Sequence, residues 1–126
     1  MCTEKLMILV IESDRDCRHA LAELLSRQDY EVVCAASGME ALEVLHSPQT
    51  VPALILLDPI VPVHGGWSFL KEHHNGGASA DAPVVLMSGL RDAPQKAVNI
   101  GAVACLLKPI DPRTLLRVVE RFNKPA

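Results

Sequence analysis

The sequence predicts an α/β domain: a doubly wound, five-stranded parallel sheet with helices on both faces. Two observations predict it. Short apolar runs recur at 6–11 (LMILVI), 31–35 (EVVCA), 53–57 (ALILL), 83–87 (PVVLM) and 103–107 (VACLL), each of strand length. Between them lie stretches whose apolar residues repeat with helical spacing. Strand and helix in alternation require parallel pairing through right-handed crossovers, and such a sheet is covered on both faces. A chain of this length is ordinary for one domain, about 14 Å in radius of gyration, so residues 1–126 are read as a single unit.

The opening MCTEKLMILVIESD carries one lysine ahead of an apolar run that ends in acids. It lacks a small-residue cleavage site and reads as a first strand, not as a leader. After Asp14, residues Cys17, Leu21, Leu24 and Leu25 fall on one helical stripe. EVVCA supplies the second strand. SGME (37–40) is a capping box, with Ser37 as N-cap and Glu40 three residues on, leading into Ala41, Leu42 and Leu45. ALILL is too short for a membrane span and too evenly apolar for a half-exposed strand, so it reads as covered on both faces. Pro59 and Pro62 then stop regular structure, and Gly65-Gly66 frees the backbone before a third helix marked by Trp67 and Leu70. NGGASADA (75–82) reads as a loop. Asp92 caps a short fourth helix with Gly101 at its C′ position. Asp111 caps a fifth, with Pro112 at the first helical position and a stripe of Leu115, Val118, Val119 and Phe122.

Composition narrows the function. A hydrophobic fraction of 49% and a mean hydropathy of +0.21 supply ample core and exclude general disorder. A net charge of −3 gives no surface for direct nucleic-acid or membrane binding, and 3% aromatics argue against base stacking. Cys2, Cys17, Cys34 and Cys105 show no CxxC spacing. They read as free thiols packed as small hydrophobes in a reducing, cytoplasmic setting.

In a doubly wound sheet all strands end along one edge, where such folds bind ligands. Those ends carry Glu12, Ser13 and Asp14 after the first strand, Asp58 after the third, Ser88 after the fourth and Lys108 after the fifth. One charge at one strand end is usually the chain meeting water; polar groups at four ends form a set. The set suits phosphoryl transfer to a carboxylate. Acid oxygens hold a hard cation such as Mg²⁺. Cation and ammonium offset charge on the phosphoryl oxygens, a carboxylate serves as nucleophile, and a hydroxyl hydrogen-bonds the bound group. His73 and His74 point to different sides of a helix, and His19, His46 and His64 stand alone, so no histidine metal site competes.

These motifs resemble the receiver domain of bacterial two-component response regulators, from Lys5 to about Phe122. ILVIESD looks like the opening strand with its acidic pocket. LILLDPIVPVHGGW resembles the phospho-acceptor strand and loop, with Asp58 as acceptor and Pro62 and Gly66 at their usual places. VVLMSG matches the fourth strand with its switch hydroxyl, Ser88. GAVACLLKPID matches the fifth, with the pocket lysine Lys108 before Pro109, a peptide commonly cis in the family. The resemblance implies a flavodoxin-like strand order 2-1-3-4-5. It implies a signalling domain and not an enzyme, phosphorylated by a histidine kinase or phosphotransfer protein. It further implies Mg²⁺ held by Glu12, Asp58 and the backbone carbonyl of Ile60. Output, or a homodimer, would use the surface of the fourth helix, fifth strand and fifth helix.

The departures are specific. Glu12-Ser13 stands where two acids are usual, so Ser13 reaches a metal only through water and Mg²⁺ should bind weakly. Pro59 removes an N–H beside the acceptor. Gly65 replaces a common aspartate, and Cys105 replaces the aromatic that usually couples phosphorylation to the surface. The alternative expectation is a pseudo-receiver, the same fold used as a phosphorylation-independent docking module. An aspartate-nucleophile phosphatase would want a second acid where Ile60 stands. A flavin carrier would want glycines where ESDRD stands.

Overall fold

In a computed structural model, which describes residues 5–58, 82–89 and 101–122, the apolar runs form a parallel sheet. Its strands are β1 (Met7–Ile11), β2 (Glu31–Ala35), β3 (Leu54–Leu57), β4 (Val84–Ser88) and β5 (Ala104–Leu107), in the order β2-β1-β3-β4-β5. Pairing is parallel throughout. The parallel pairing matches the sequence expectation, and the strand order is the one the resemblance implies. The strands begin or end within one residue of the apolar runs that predict them.

Three helices are described: α1 (Arg15–Arg27), α2 (Gly38–Leu45) and α3 (Pro112–Phe122), the last being the fifth helix of the sequence reading. Each starts where its cap predicts. The Asp14 carboxylate accepts from the N–H groups of Asp16 and Cys17. Ser37 Oγ accepts from Glu40 N–H at 3.1 Å. Asp111 Oδ2 accepts from Thr114 N–H at 3.0 Å, with Pro112 as the first helical residue. These side chains satisfy amides that have no partner inside the helix. Gly101 has φ 88°, a conformation suited to the C′ position expected of it. The third and fourth helices of the sequence reading lie outside the described residues, as do Pro59, Ile60, Pro62, Gly65 and Gly66.

Alternation along the strands divides the core into two layers. Ile8, Val10, Leu54, Leu56, Val85 and Met87 pack with Leu21 and Leu25 of α1 and with Leu115 and Val119 of α3. Leu9, Ile11, Ile55, Leu57, Val84 and Leu86 pack with Ala41 of α2, flanked by Leu42 and Leu45. Every residue of β3 is fully buried, as expected of a strand covered on both faces. No described helix is long and apolar enough to cross a membrane.

Register fixes where the site lies. Ile11 is opposite Leu57, and Ser88 is opposite Leu107. The residues that follow, Glu12, Asp58 and Lys108, therefore line up with Ser88 along the C-terminal edge of the sheet. Ladder bonds reach into that row: Glu12 N–H donates to the Ala35 carbonyl, Asp58 N–H to Ile11 and Lys108 N–H to Ser88.

Candidate functional site

Among the described residues, the polar or charged ones that are buried are Glu12 (1% exposed), Asp58 (8%) and Ser88 (2%). All belong to this one edge. A buried carboxylate is costly unless it is paired, and the pairing here is direct. Lys108 Nζ donates to Glu12 Oε1 at 2.5 Å and to Asp58 Oδ2 at 3.0 Å. Residues 96 and 50 positions apart in sequence thus meet on one ammonium. Glu12, Asp58 and Lys108 also share an alternation: each continues the even-numbered positions that face α1 and α3. Ser88 continues the other alternation, after Val84 and Leu86, and joins the row through its carbonyl bond to Lys108 N–H.

The electrostatics follow from this geometry. Burial alone works to lower the Lys108 pKa. The hydrogen bonds from Glu12 and Asp58 and the attraction of the two carboxylates outweigh it, so the ammonium is held above its ordinary value. Among the described residues, two carboxylates thus face one ammonium at this edge. The Lys108–Pro109 peptide is cis, as the resemblance implies.

The structure also places the other polar residues of the β1–α1 loop. Ser13 is exposed. The Asp14 carboxylate is engaged by the first turn of α1, while its backbone N–H donates to Glu12 Oε2 at 3.3 Å. Asp14 therefore faces the helix and leaves Glu12 as the acid this loop gives to the pocket. Cys17, expected as a small packed hydrophobe, sits half-buried with its thiol on Glu12. Burial, then that hydrogen bond, push its pKa up to about 11. Burial also raises the pKa of Cys34 and Cys105, so these thiols stay protonated near neutral pH. Sequence reasoning missed Arg18, whose Nη1 donates to the carbonyl oxygens of Glu12 and Ser13. An arginine four residues past a helix cap carries no signal of such a contact.

No group of three or more His, Cys, Asp or Glu side chains among the described residues is arranged to hold a metal ion. The donor set suited to a hard cation is the pair Glu12 and Asp58. Mg²⁺ is commonly bound through one or two carboxylates with water completing its octahedron, so this pair fits it. Ile60, expected to add a backbone carbonyl, lies outside the described residues.

A five-stranded parallel sheet in this order, with buried acids and a lysine at its C-terminal edge, defines a class of signalling domain. The response regulator receiver domain family matches residues 8–120, and the chain belongs to it. Among curated relatives, the chain is similar to "Probable transcriptional regulator ycf27" of Guillardia theta, with 29% identity over 94% of this chain and 47% of that protein. It is also similar to "Two-component response regulator-like APRR3" of Arabidopsis thaliana, with 31% identity over 83% of this chain and 22% of that one. The chain thus spans half or less of the length of these relatives. Among solved structures, the chemotaxis protein CheY4 of Vibrio cholerae superposes with a TM-score of 0.84 at 26% identity, over 94% of this chain and 99% of that one.

Proposed function

We propose that residues 1–126 act as one phospho-accepting receiver of a two-component phosphorelay, with Asp58 taking the phosphoryl group from a histidine kinase or phosphotransfer protein. The observation that carries this reading is the collection of the buried polar side chains at one sheet edge, two of them bridged by Lys108. An Asp58 carboxylate oxygen attacks the phosphorus of a phosphohistidine. The P–N bond breaks, the imidazole leaves with the electron pair, and an acyl phosphate forms on the side chain. Lys108, already 3.0 Å from Asp58 Oδ2, transfers its hydrogen bond to a phosphoryl oxygen. Ser88, at the end of the neighbouring strand, supplies a hydroxyl to the same group. Glu12 and Asp58 would hold Mg²⁺, with Ile60 adding a carbonyl and Ser13 contributing through water, and the ion would offset the charge that builds on the phosphoryl oxygens. With one carboxylate fewer than the family norm, that binding would be weak. The group stays on the domain's own carboxylate, as suits a signalling domain and not an enzyme with a separate substrate.

Output would leave through the surface of the fourth helix, fifth strand and fifth helix of the sequence reading, to a partner or a second copy of the chain. Val103 is 45% exposed and Leu107 59% exposed, an apolar edge that supports this reading. Cys105, half-buried against the α2-side core, is too small to swing like an aromatic, so the coupling is expected to be weak.

One observation favours a second reading, a pseudo-receiver that docks without phosphorylation: the acid site is thinned, with Ser13 exposed where an acid is usual and the Asp14 carboxylate taken up by the first turn of α1. A single experiment separates the two. The protein is incubated with acetyl phosphate and Mg²⁺ and its intact mass measured. The receiver reading predicts a gain of one phosphoryl group, lost in Asp58→Asn. No gain with any phosphodonor, or a gain that persists in Asp58→Asn, would overturn it.

A further inference from the structure

Arg18 stands outside the row of strand-end residues, on α1, and is half-buried. Its side chain turns back over the β1–α1 loop. Nη1 donates to the carbonyl oxygen of Glu12 at 2.9 Å and to that of Ser13 at 3.3 Å. Its own backbone N–H donates to the Asp14 carbonyl at 2.9 Å. One residue therefore bonds to the carbonyls of residues 12, 13 and 14 in succession. We propose that Arg18 is a positioning residue for the pocket, fixing the backbone from which the Glu12 carboxylate is aimed at Lys108. The inference rests on the receiver reading for its functional consequence, though not for the contact itself.

The physical case begins with what the loop must do. The last ladder bond of β1 is made by Glu12 N–H, which donates to the Ala35 carbonyl, yet Glu12 must hold one carboxylate oxygen on Lys108 and the other on Asp14 N–H. Its aim depends on the backbone at 12–14. Ser13 is exposed, and the loop's carbonyls at 12, 13 and 14 are tied by Arg18. A charged donor makes stronger hydrogen bonds than a neutral one, and the bond to the Glu12 carbonyl is partly buried.

The test compares wild type with Arg18→Ala and Arg18→Lys. Amide exchange in metal-free protein and Mg²⁺ affinity by isothermal titration are both measured. In Arg18→Ala, exchange should rise at Asp14 N–H, which donates to Glu12 Oε2, and stay unchanged at Asp58 N–H, which belongs to the sheet ladder. Mg²⁺ affinity should fall about tenfold, the usual effect of removing a group that orients a metal-binding side chain. Arg18→Lys should recover most of both effects, because a single nitrogen makes both side-chain contacts. Unchanged protection at Asp14 with unchanged Mg²⁺ affinity would overturn the proposal. So would loosening spread equally to Asp58, since that is loss of fold and not of aim. Wild type that binds no Mg²⁺ would count against the receiver reading, while the exchange data would still decide the role of Arg18.

Discussion

β3 and β5 each end in a charged residue of the same pocket, yet they are built differently. β3 lies at the centre of the sheet, every residue fully buried, and Asp58 after it is 8% exposed. β5 is the last strand in the order. Ala104 and Cys105 are half-buried, Leu106 is buried and Leu107 is 59% exposed. The Lys108 side chain that follows is 29% exposed, against 12% for Asp58. A group that must present one oxygen to an incoming phosphorus benefits from a frame that cannot yield. A cation that must leave one partner for another benefits from an edge with fewer buried contacts, where local opening costs less. On the proposed reading, the acceptor follows the fully buried central strand and the ammonium follows the more exposed edge strand.

The largest effect expected from this contrast is in the strands themselves. Leu56→Ala empties a fully buried position of β3 and should cost about 2–5 kcal/mol of unfolding free energy. Leu107→Ala on β5 removes a largely exposed side chain and should change stability by no more than about 0.5 kcal/mol. Urea titration of both variants checks the pair; equal losses would break the comparison.

A smaller effect tests where the β1–α1 loop belongs. Asp14→Ala removes the cap of α1 and should cost about 0.5–2 kcal/mol in the same titration. It should leave Mg²⁺ affinity unaltered, because the Asp14 carboxylate faces the helix. A clear loss of Mg²⁺ binding would place Asp14 in the pocket instead.

Much of this architecture was legible in the sequence because it rests on local rules. β3 announces itself as an unbroken apolar run, and Ser37, Asp111 and Pro112 mark helix starts through cap chemistry that acts within three residues. Register then follows from parallel pairing, so the gathering of Glu12, Asp58, Ser88 and Lys108 at one edge was also legible. What was not legible depends on side-chain direction. Two acids follow Ile11 within three positions, and composition alone does not say which one turns inward. The helix cap claims Asp14, and the ammonium from β5 claims Glu12. That Lys108 bridges both carboxylates, and that Arg18 ties down two carbonyls, are consequences of three-dimensional reach with no periodic signature. The alternation that sets Ser88 apart from the other three was readable in principle, once the strand end had been fixed to the residue.

The central claim is that this pocket keeps its acceptor and its cation while lacking one carboxylate at Ser13. Isothermal titration of Mg²⁺ into wild type and Ser13→Asp tests it most directly. A restored charge a few ångströms from a divalent ion, at an effective dielectric near 20, should tighten binding about tenfold or more. Equal affinity in the two proteins would contradict the account, because another group would then already hold the ion where Ser13 leaves the charge missing.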